Sequence, residues 1–187
     1  GANTATLNQT ADGASSLNTI NLTQTSAAFA NFGTITQEAN AAGVNTATLS
    51  QNVDATANNT ATLSQTTTNG INTADVNQFD DANVSTVTQN ATDGENYVEI
   101  DQRKDAVATV TQTATGAGSY NDADIYQNNS NDNTATVTQT ANLGGSNYIE
   151  VNQYGTDITV TSTQNADGAG SQNDSYVSQA LTSDDSN

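Results

Sequence analysis

Glutamine recurs at a nearly regular interval along the whole chain, and this repeat constrains the fold more than any other feature. Fourteen glutamines follow one another at intervals of 10 to 15 residues. Taken alternately, they form two interleaved series with intervals of 23 to 28 residues. The first series is Gln9, Gln37, Gln65, Gln89, Gln112, Gln139 and Gln164, and the second is Gln24, Gln51, Gln78, Gln102, Gln127, Gln153 and Gln179. A fixed period of this size indicates stacked copies of one supersecondary unit.

Each of these glutamines closes a short segment with alternating residue types. Segments such as NTATLSQ at 45–51 and NTATVTQ at 133–139 follow the pattern Asn-x-Ala-x-aliphatic-x-Gln. Alternation with a period of two is typical of a β-strand and predicts that Asn, Ala, the aliphatic residue and Gln share its inner face. In the second series the predicted aliphatic column is Leu22, Leu49, Val76, Ile100, Ile125, Val151 and Val177.

The connections differ between the two series and define the repeating unit. A longer, glycine-bearing link such as EANAAGV at 38–44 follows the first-series glutamines, whereas mostly shorter links such as RKD at 103–105 follow the second series. Glycine, Asn and Asp supply the positive φ angles that tight turns need. We therefore predict an all-β, parallel β-solenoid of seven two-strand rungs, with two facing parallel sheets in an amyloid-like cross-β arrangement.

The predicted solenoid is a single domain at residues 1–179, and residues 180–187 form an acidic C-terminal tail. Its seven repeats span approximately 3–24, 31–51, 59–78, 83–102, 106–127, 133–153 and 158–179.

So polar a chain can fold only if its buried amides are paired. Only 33% of the 187 residues are hydrophobic, a composition that by itself indicates disorder. In-register stacking removes the cost of burying Asn and Gln, because each amide donates to the carbonyl of the next rung about 4.8 Å away. The first series has Ala106 and Ile158 at its Asn position, so we expect its Asn ladder to be interrupted there.

Charge and residue types exclude several functions. With 20 acidic residues against 2 basic ones, the formal charge is −18, which argues against nucleic acid and anionic membranes as partners. No apolar run reaches the ~18 residues of a membrane span. Without His or Cys the common nucleophile–base pairs are unavailable, so we predict that the chain is not an enzyme. The acidity fits an extracellular setting, where cations screen self-repulsion.

The first series places threonine on its outer face in two columns. The column three positions before the glutamines is Thr6, Thr34, Thr62, Thr86, Thr109, Thr136 and Thr161. The column one position before them is Asn8, Thr36, Ser64, Thr88, Thr111, Thr138 and Thr163. Solenoid ice-binding proteins use such flat arrays to order water, so ice binding is an alternative function. β-Propensity or lateral sheet packing explains the same array without ice.

The second series places carboxylates on its outer face. Asp75, Glu99, Asp124 and Glu150 occupy one column on four successive rungs, which we call the acidic column. Like charges stacked directly in a sheet are destabilising. Either cations bridge these carboxylates, with Ca²⁺ the best match to oxygen-only ligands, or the column is solvated at a cost in stability. Ca²⁺ is the one candidate cofactor.

A strand that ends in Gln, a turn, and then Asn-x-Ala-x-x-x-Gln resembles the curlin repeat of bacterial curli, the extracellular amyloid of biofilms. The resemblance covers all seven repeats and implies a secreted subunit that assembles into fibres and adheres to matrix and surfaces. It also implies that strand-end Asn and Gln residues drive self-assembly. The matching positions include Asn3, Gln9, Asn18, Gln24, Asn45, Gln51, Asn72, Gln78, Asn96, Gln102, Asn121, Gln127, Asn147, Gln153, Asn173 and Gln179. Two features depart from the pattern: the link from Gln9 to Asn18 is longer than in curlin, and first strands begin mostly with Asn instead of Ser.

We accordingly expect a homopolymer that grows end to end at the cell surface or in a biofilm matrix, with a nucleator or secretion machinery as further partners. No capping helix or proline-rich edge is visible at either end, so both end rungs are expected to offer unpaired strands to the next subunit. A stalk or ligand-binding segment of a larger adhesin also fits the repeats. Neither nucleic-acid binding nor membrane insertion is expected.

Overall fold

The computed structural model describes residues 2–27, 29–53, 57–143, 145–168 and 170–180, and these form strands and turns without a helix. The first-series strands are β1 (Thr4–Asp12), β3 (Asn31–Asn40), β5 (Asn59–Thr68), β7 (Val84–Gly94), β9 (Val107–Ser119), β11 (Thr134–Asn142) and β13 (Thr159–Asp167). The second-series strands are β2 (Leu17–Ser26), β4 (Val44–Val53), β6 (Ile71–Phe79), β8 (Val98–Arg103), β10 (Gln127–Asn131), β12 (Gln153–Thr156) and β14 (Gln179–Ala180). Of the predicted acidic tail, only Ala180 lies within the described residues.

The strands form two seven-stranded parallel sheets. Odd-numbered strands make one sheet in the order β1-β3-β5-β7-β9-β11-β13, here called the first sheet, and even-numbered strands make the second sheet in the same stacked order. Equivalent residues of successive rungs pair directly, as Gln37 does with Gln65 in the first sheet. The predicted β-solenoid of two-strand rungs is therefore confirmed.

A thin apolar core lies between the two sheets. Ile35, Leu49 and Leu63 are completely buried, and they belong to the predicted inner faces. Burial falls at the first rung, where Leu7 holds the same column position as Ile35 but is 48% exposed. The core therefore depends on each rung being covered on both sides by another.

The first-series strands do not end at their glutamines, and this part of the sequence prediction is wrong. β3 continues to Asn40 beyond Gln37, which turns Ala39 inward, where it is completely buried. The equivalent positions form a further inner column, which is Ala11, Ala39, Thr67, Ala91, Ala114, Ala141 and Ala166. The long links are thus strand extensions followed by short turns, because small side chains two positions after Gln can be buried.

The turns use left-handed backbone, as the sequence predicted for glycine, Asn and Asp. Asn69 has a φ of 54°, and Ala41 and Ala42 adopt the same region without being glycine. The backbones of successive turns also approach one another closely. A Cβ atom added to Gly70 would lie 2.3 Å from the carbonyl oxygen of Gly94, so no larger residue fits there.

Candidate functional site: amide ladders and two outer faces

An unbroken ladder of glutamine side chains runs through the first sheet. In each step the Nε2 of one glutamine donates to the Oε1 of its counterpart in the next rung. The donor–acceptor distances are 3.0 Å from Gln9 to Gln37, 2.8 Å to Gln65, 2.8 Å to Gln89, 2.9 Å to Gln112, 2.8 Å to Gln139 and 3.3 Å to Gln164. The ladder runs inside the solenoid, where Gln65 and Gln89 are almost wholly buried. Each of these buried amides is paired, as the repeat requires.

The second sheet carries a matching ladder from Gln24 to Gln153. Its steps are 2.8 Å from Gln24 to Gln51, 2.8 Å to Gln78, 3.1 Å to Gln102, 3.0 Å to Gln127 and 2.8 Å to Gln153. One buried hydroxyl joins this ladder, because Ser85 donates to Gln102 Oε1 and accepts from Gln78 Nε2. Ser85 stands where the repeat pattern has Ala, and nothing in the pattern had marked it.

Glutamine also holds the two sheets together. Gln37 Nε2 donates to the backbone carbonyl of Thr19 at 3.0 Å, and Gln51 Nε2 donates to that of Phe32 at 3.1 Å. Each bond crosses from one sheet to the other. A glutamine amide has two protons, so one serves the ladder and the other serves the opposite sheet. The sequence pattern predicted the first use and gave no indication of the second.

The asparagines of the second sheet form a ladder of their own. The Nδ2–Oδ1 distances are 2.5 Å from Asn45 to Asn72, 2.6 Å to Asn96, 2.6 Å to Asn121, 2.6 Å to Asn147 and 2.6 Å to Asn173. Asn18 shares the column, but its Nδ2 donates to the backbone carbonyl of Thr10 at 2.7 Å. The ladder that the sequence predicts from Asn18 onward therefore begins at Asn45.

The asparagines of the first sheet mostly bind backbone, contrary to the expected ladder. Asn3 Nδ2 donates to the carbonyl of Gln24 at 2.9 Å, and its Oδ1 accepts from the backbone N–H of Asn31 at 3.1 Å. The rungs with Ala106 and Ile158 keep the backbone half of this arrangement. Ile158 N–H donates to Asn133 Oδ1 at 3.0 Å, for example. The strand-start asparagines lie beside the turns that follow the second-sheet strands, so backbone groups are within their reach.

All three ladders have the same direction. In every step the amide of an earlier rung donates to the carbonyl oxygen of the following rung. Within the described residues the first rung therefore presents the unused Oε1 acceptors of Gln9 and Gln24. The last rung presents the amide donors of Gln164, Asn173 and Gln179. The two ends of the described stack are thus complementary in hydrogen bonding.

The outer face of the first sheet is a broad threonine array. The two predicted columns lie in register, with Thr86 paired to Thr109 and Thr109 to Thr136. Because the strands extend beyond both ends of these columns, two further columns flank them. One is Thr4, Phe32, Thr60, Val84, Val107, Thr134 and Thr159. The other is Thr10, Glu38, Thr66, Asn90, Thr113, Thr140 and Asn165. We call these four columns the threonine face.

The threonine face is almost free of charge. Among its four columns, the one ionisable residue is Glu38, in the second rung. A fifth outward position at the strand ends adds Asp12 in the first rung and Asp167 in the last. A chain of formal charge −18 thus keeps its carboxylates in the turns and on the other sheet.

On the second sheet the acidic column lies where the sequence placed it. Asp75 pairs with Glu99, and the glutamine register carries the column on to Asp124 and Glu150. Side chains of the same strand hold some of these carboxylates. Glu150 accepts from Tyr148 Oη at 3.0 Å and from Asn152 Nδ2 at 2.7 Å. These bonds partly offset the repulsion between rungs.

Burial and like charges make one of these carboxylates weakly acidic. Burial, followed by the charges of Asp122, Glu99 and Glu150, raises the pKa of Asp124 to about 6. Burial also raises the pKa of Asp101, although Arg103 opposes the shift. The acidic column is therefore partly protonated near neutral pH.

The surrounding tyrosines act as hydrogen-bond donors. The bond to Glu150, together with burial, raises the pKa of Tyr148 to about 12. Tyr120 donates to Asp122, and burial is the largest cause of its raised pKa. Sequence reasoning missed Tyr120 because it stands one position before Asn121, outside the alternating segment.

The carboxylates of the acidic column lie one to a rung along the sheet. In the described ranges, no group of three or more acidic side chains is arranged to hold a metal ion. The Ca²⁺ hypothesis stays a prediction that rests on charge alone.

These features define the class of the protein as a parallel β-solenoid repeat protein with paired amide ladders. No protein-family model, curated protein or solved structure matches the chain. Across the ranges that the structure describes, no helix has the length and apolarity to span a membrane.

Proposed function

We propose that this chain is a secreted structural subunit that polymerises end to end into extracellular, curli-like amyloid fibres. Its partner is then another copy of itself, in a biofilm matrix or at the cell surface. A nucleator or secretion machinery would provide the remaining contacts. The proposed role is mechanical and adhesive and involves no catalysis or cofactor.

The shared direction of the amide ladders is the observation that supports this proposal most. The last rung of one subunit offers amide donors where the first rung of the next offers the Gln9 and Gln24 acceptors. Such a contact joins unlike surfaces, and a head-to-tail contact of this kind propagates as an open filament. The growing end would add parallel strands in register, which is the arrangement of cross-β fibres.

The exposed first rung gives an energetic reason for the same contact. Leu7 is 48% exposed, while its column neighbour Ile35 is completely buried under the adjacent rung. Covering the first rung with another subunit would bury Leu7 and pair the outer edge of β1. Burial of a leucine side chain contributes about 1.5–3 kcal/mol, less the part already buried.

Electron microscopy and fibre diffraction of the incubated chain test the proposal. We expect long unbranched fibres with a meridional reflection at about 4.8 Å, the spacing between strands. Leu7→Lys should abolish elongation because the next subunit would have to bury an ammonium group. A wild-type chain that stays monomeric under all assembly conditions would contradict the proposal.

Thr23→Lys is the matched control for this experiment. Thr23 lies on the neighbouring strand β2 and is exposed on the outer face of the second sheet, so the charge change is the same. This variant should elongate at the wild-type rate. Equal elongation of Leu7→Lys and wild type would show that the first rung is not the growing surface.

Ice binding is the second candidate function, and the threonine face favours it. Thr62, Thr86 and Thr109 repeat at each strand of a parallel sheet in strict register. Such a lattice of methyl and hydroxyl groups is regular in two directions. Thermal hysteresis and ice-crystal shaping by the freshly dissolved monomer test this candidate. Unshaped ice at concentrations well above those used for assembly would rule it out.

A further inference from the structure

We propose that the threonine face is a docking surface for the threonine face of a second copy of this chain. The contact would be lateral, sheet against sheet, and would join neighbouring solenoids side by side. Two single chains could make it, so the inference goes beyond end-to-end growth and does not require it.

Charge distribution identifies this face as the contact between copies. Sheet-to-sheet approach through the second sheet would bring the acidic columns of two chains within a Debye length, about 8 Å at physiological salt. The threonine face carries only Glu38 within its four columns. It is therefore the broad surface on which two such acidic chains can meet without opposing carboxylates.

The one charge on the face does not prevent a symmetric contact. Identical surfaces pair through a two-fold axis. Glu38 lies in an edge column and in the second of seven rungs. An axis along the solenoid sets it opposite the other edge column, and an axis across the solenoid sets it opposite the sixth rung. Glu38 thus never faces its own counterpart.

The side chains suit a dry contact between sheets. Val84 and Val107 interrupt the threonines on adjacent rungs and are 38% and 36% exposed. Valine has the shape of threonine without its hydroxyl, so a water-ordering lattice loses two hydroxyls here while a packed interface loses nothing. Small β-branched side chains of uniform height interdigitate well between facing sheets.

The area is large enough for a stable pair. With seven strands about 4.8 Å apart and four outward positions about 6.6 Å apart along each strand, the face covers about 900 Å². A standard specific interface buries about 800 Å² on each partner. The threonine face therefore provides the surface of an ordinary dimer.

A charge placed at the centre of the face tests the inference. Thr109→Glu introduces a carboxylate on the middle rungs, and Thr46→Glu makes the same change on the outer face of the second sheet, at a position between Thr19 and Thr73. Fibre width by electron microscopy and mass by sedimentation equilibrium report the pairing. We expect paired solenoids for wild type and Thr46→Glu, and single solenoids with at least about tenfold weaker pairing for Thr109→Glu.

Further conditions separate the outcomes. Circular dichroism checks that Thr109→Glu is folded, and 1 M salt should restore its pairing because the Debye length falls to about 3 Å. Unchanged pairing in Thr109→Glu, or wild-type solenoids that remain single, would overturn the inference. Single wild-type solenoids that shape ice, with Thr109→Glu inactive, would assign the face to water instead. Absence of fibres together with paired monomers would contradict end-to-end growth and leave lateral pairing supported.

Discussion

The two sheets of the solenoid have similar interiors and different outer faces, and their strands differ in regularity. First-sheet strands remain 9 to 13 residues long from β1 to β13. Second-sheet strands shorten along the stack, with 10 residues in β2 and β4, 9 in β6, 6 in β8, 5 in β10, 4 in β12 and 2 in β14. The shortening begins after β6, the strand in which the acidic column starts.

Like charges stacked from rung to rung explain this difference. Glutamine and asparagine ladders continue through the second sheet, so its interior does not cause the shortening. Threonine stacked on threonine favours an extended strand, whereas carboxylate stacked on carboxylate repels. The outer face therefore decides how regular each backbone ladder is, and the amide ladders decide whether the rung forms at all.

Removing one ladder glutamine should have the largest effect, and an equal one in either sheet. Gln89→Ala leaves the carbonyl of Thr73, Gln112 Oε1 and an amide proton of Gln65 without their partners. We expect a loss of about 4 kcal/mol in unfolding free energy, measured with urea, and a similar loss for Gln102→Ala. Thr88→Ala, on the outer face of the same strand, should cost less than about 0.5 kcal/mol. A Gln89→Ala loss as small as that of Thr88→Ala would contradict the role of the ladder.

Neutralising the acidic column should make the second sheet resemble the first. Glu99→Gln with Asp124→Asn removes the charge from two adjacent rungs, and we expect a gain of about 1–2 kcal/mol at pH 7. Amide hydrogen exchange should slow in the segments that precede Gln102 and Gln127. The control is Asp132→Asn with Asp157→Asn, which makes the same charge change in exposed left-handed turns. Equal stabilisation by both pairs would show that net charge matters and the stacking does not.

Mild acid should stabilise the second sheet for the same reason. Asp124 has a pKa of about 6 when folded, above the roughly 3.9 of an unfolded aspartate, so the folded state binds its proton more tightly. Its favourable contribution is complete below about pH 4 and is lost as the pH rises through 6. After allowance for solvent screening we expect about 1 kcal/mol between these limits, measured by urea unfolding across the pH range. Asp124→Asn should flatten this part of the profile, and an unchanged profile in that variant would assign the effect to other groups.

Calcium should have the smallest effect and should act on assembly rate. We expect fibre growth to be faster in millimolar Ca²⁺ than in chelator at low salt, because cations reduce repulsion along the acidic column. The difference should shrink in the variant that combines Glu99→Gln with Asp124→Asn. Equal growth rates of the wild type in chelator and in Ca²⁺ would contradict cation bridging and screening alike.

The sequence predicts most of the fold because a two-residue period and a repeat interval together assign every side chain to a face and a rung. Gln65, Asn72 and Leu63 all lie on the inner faces that the pattern gave them. The pattern failed where the backbone continued past the repeating segment. Ala39 lies in such an extension, and the strand had been expected to end at Gln37. A glutamine at the end of an alternating segment marks a change in outer chemistry as readily as a change in backbone.

The candidate sites were only partly predictable. Alternation placed Thr109 and Glu99 on outer faces, but the width of the threonine face followed from the strand extensions. Tyr120 and Ser85 lie near or within the repeats without matching the pattern, so their contacts with Asp122 and Gln102 required coordinates. Residues of the same type also took different roles, as Asn72 joins a ladder and Asn3 binds the backbone of Gln24.

The sequence by itself determined the stacking, because identical residues at a fixed interval can pair in register in only one way. It also determined that Asn and Gln must be buried together, since an unpaired amide is costly and a ladder removes that cost. The tertiary structure decided how each glutamine uses its second proton, because that depends on the stagger between two sheets. It likewise decided the common direction of the ladders and the shortening of the second sheet, since both arise from neighbours that are distant in sequence.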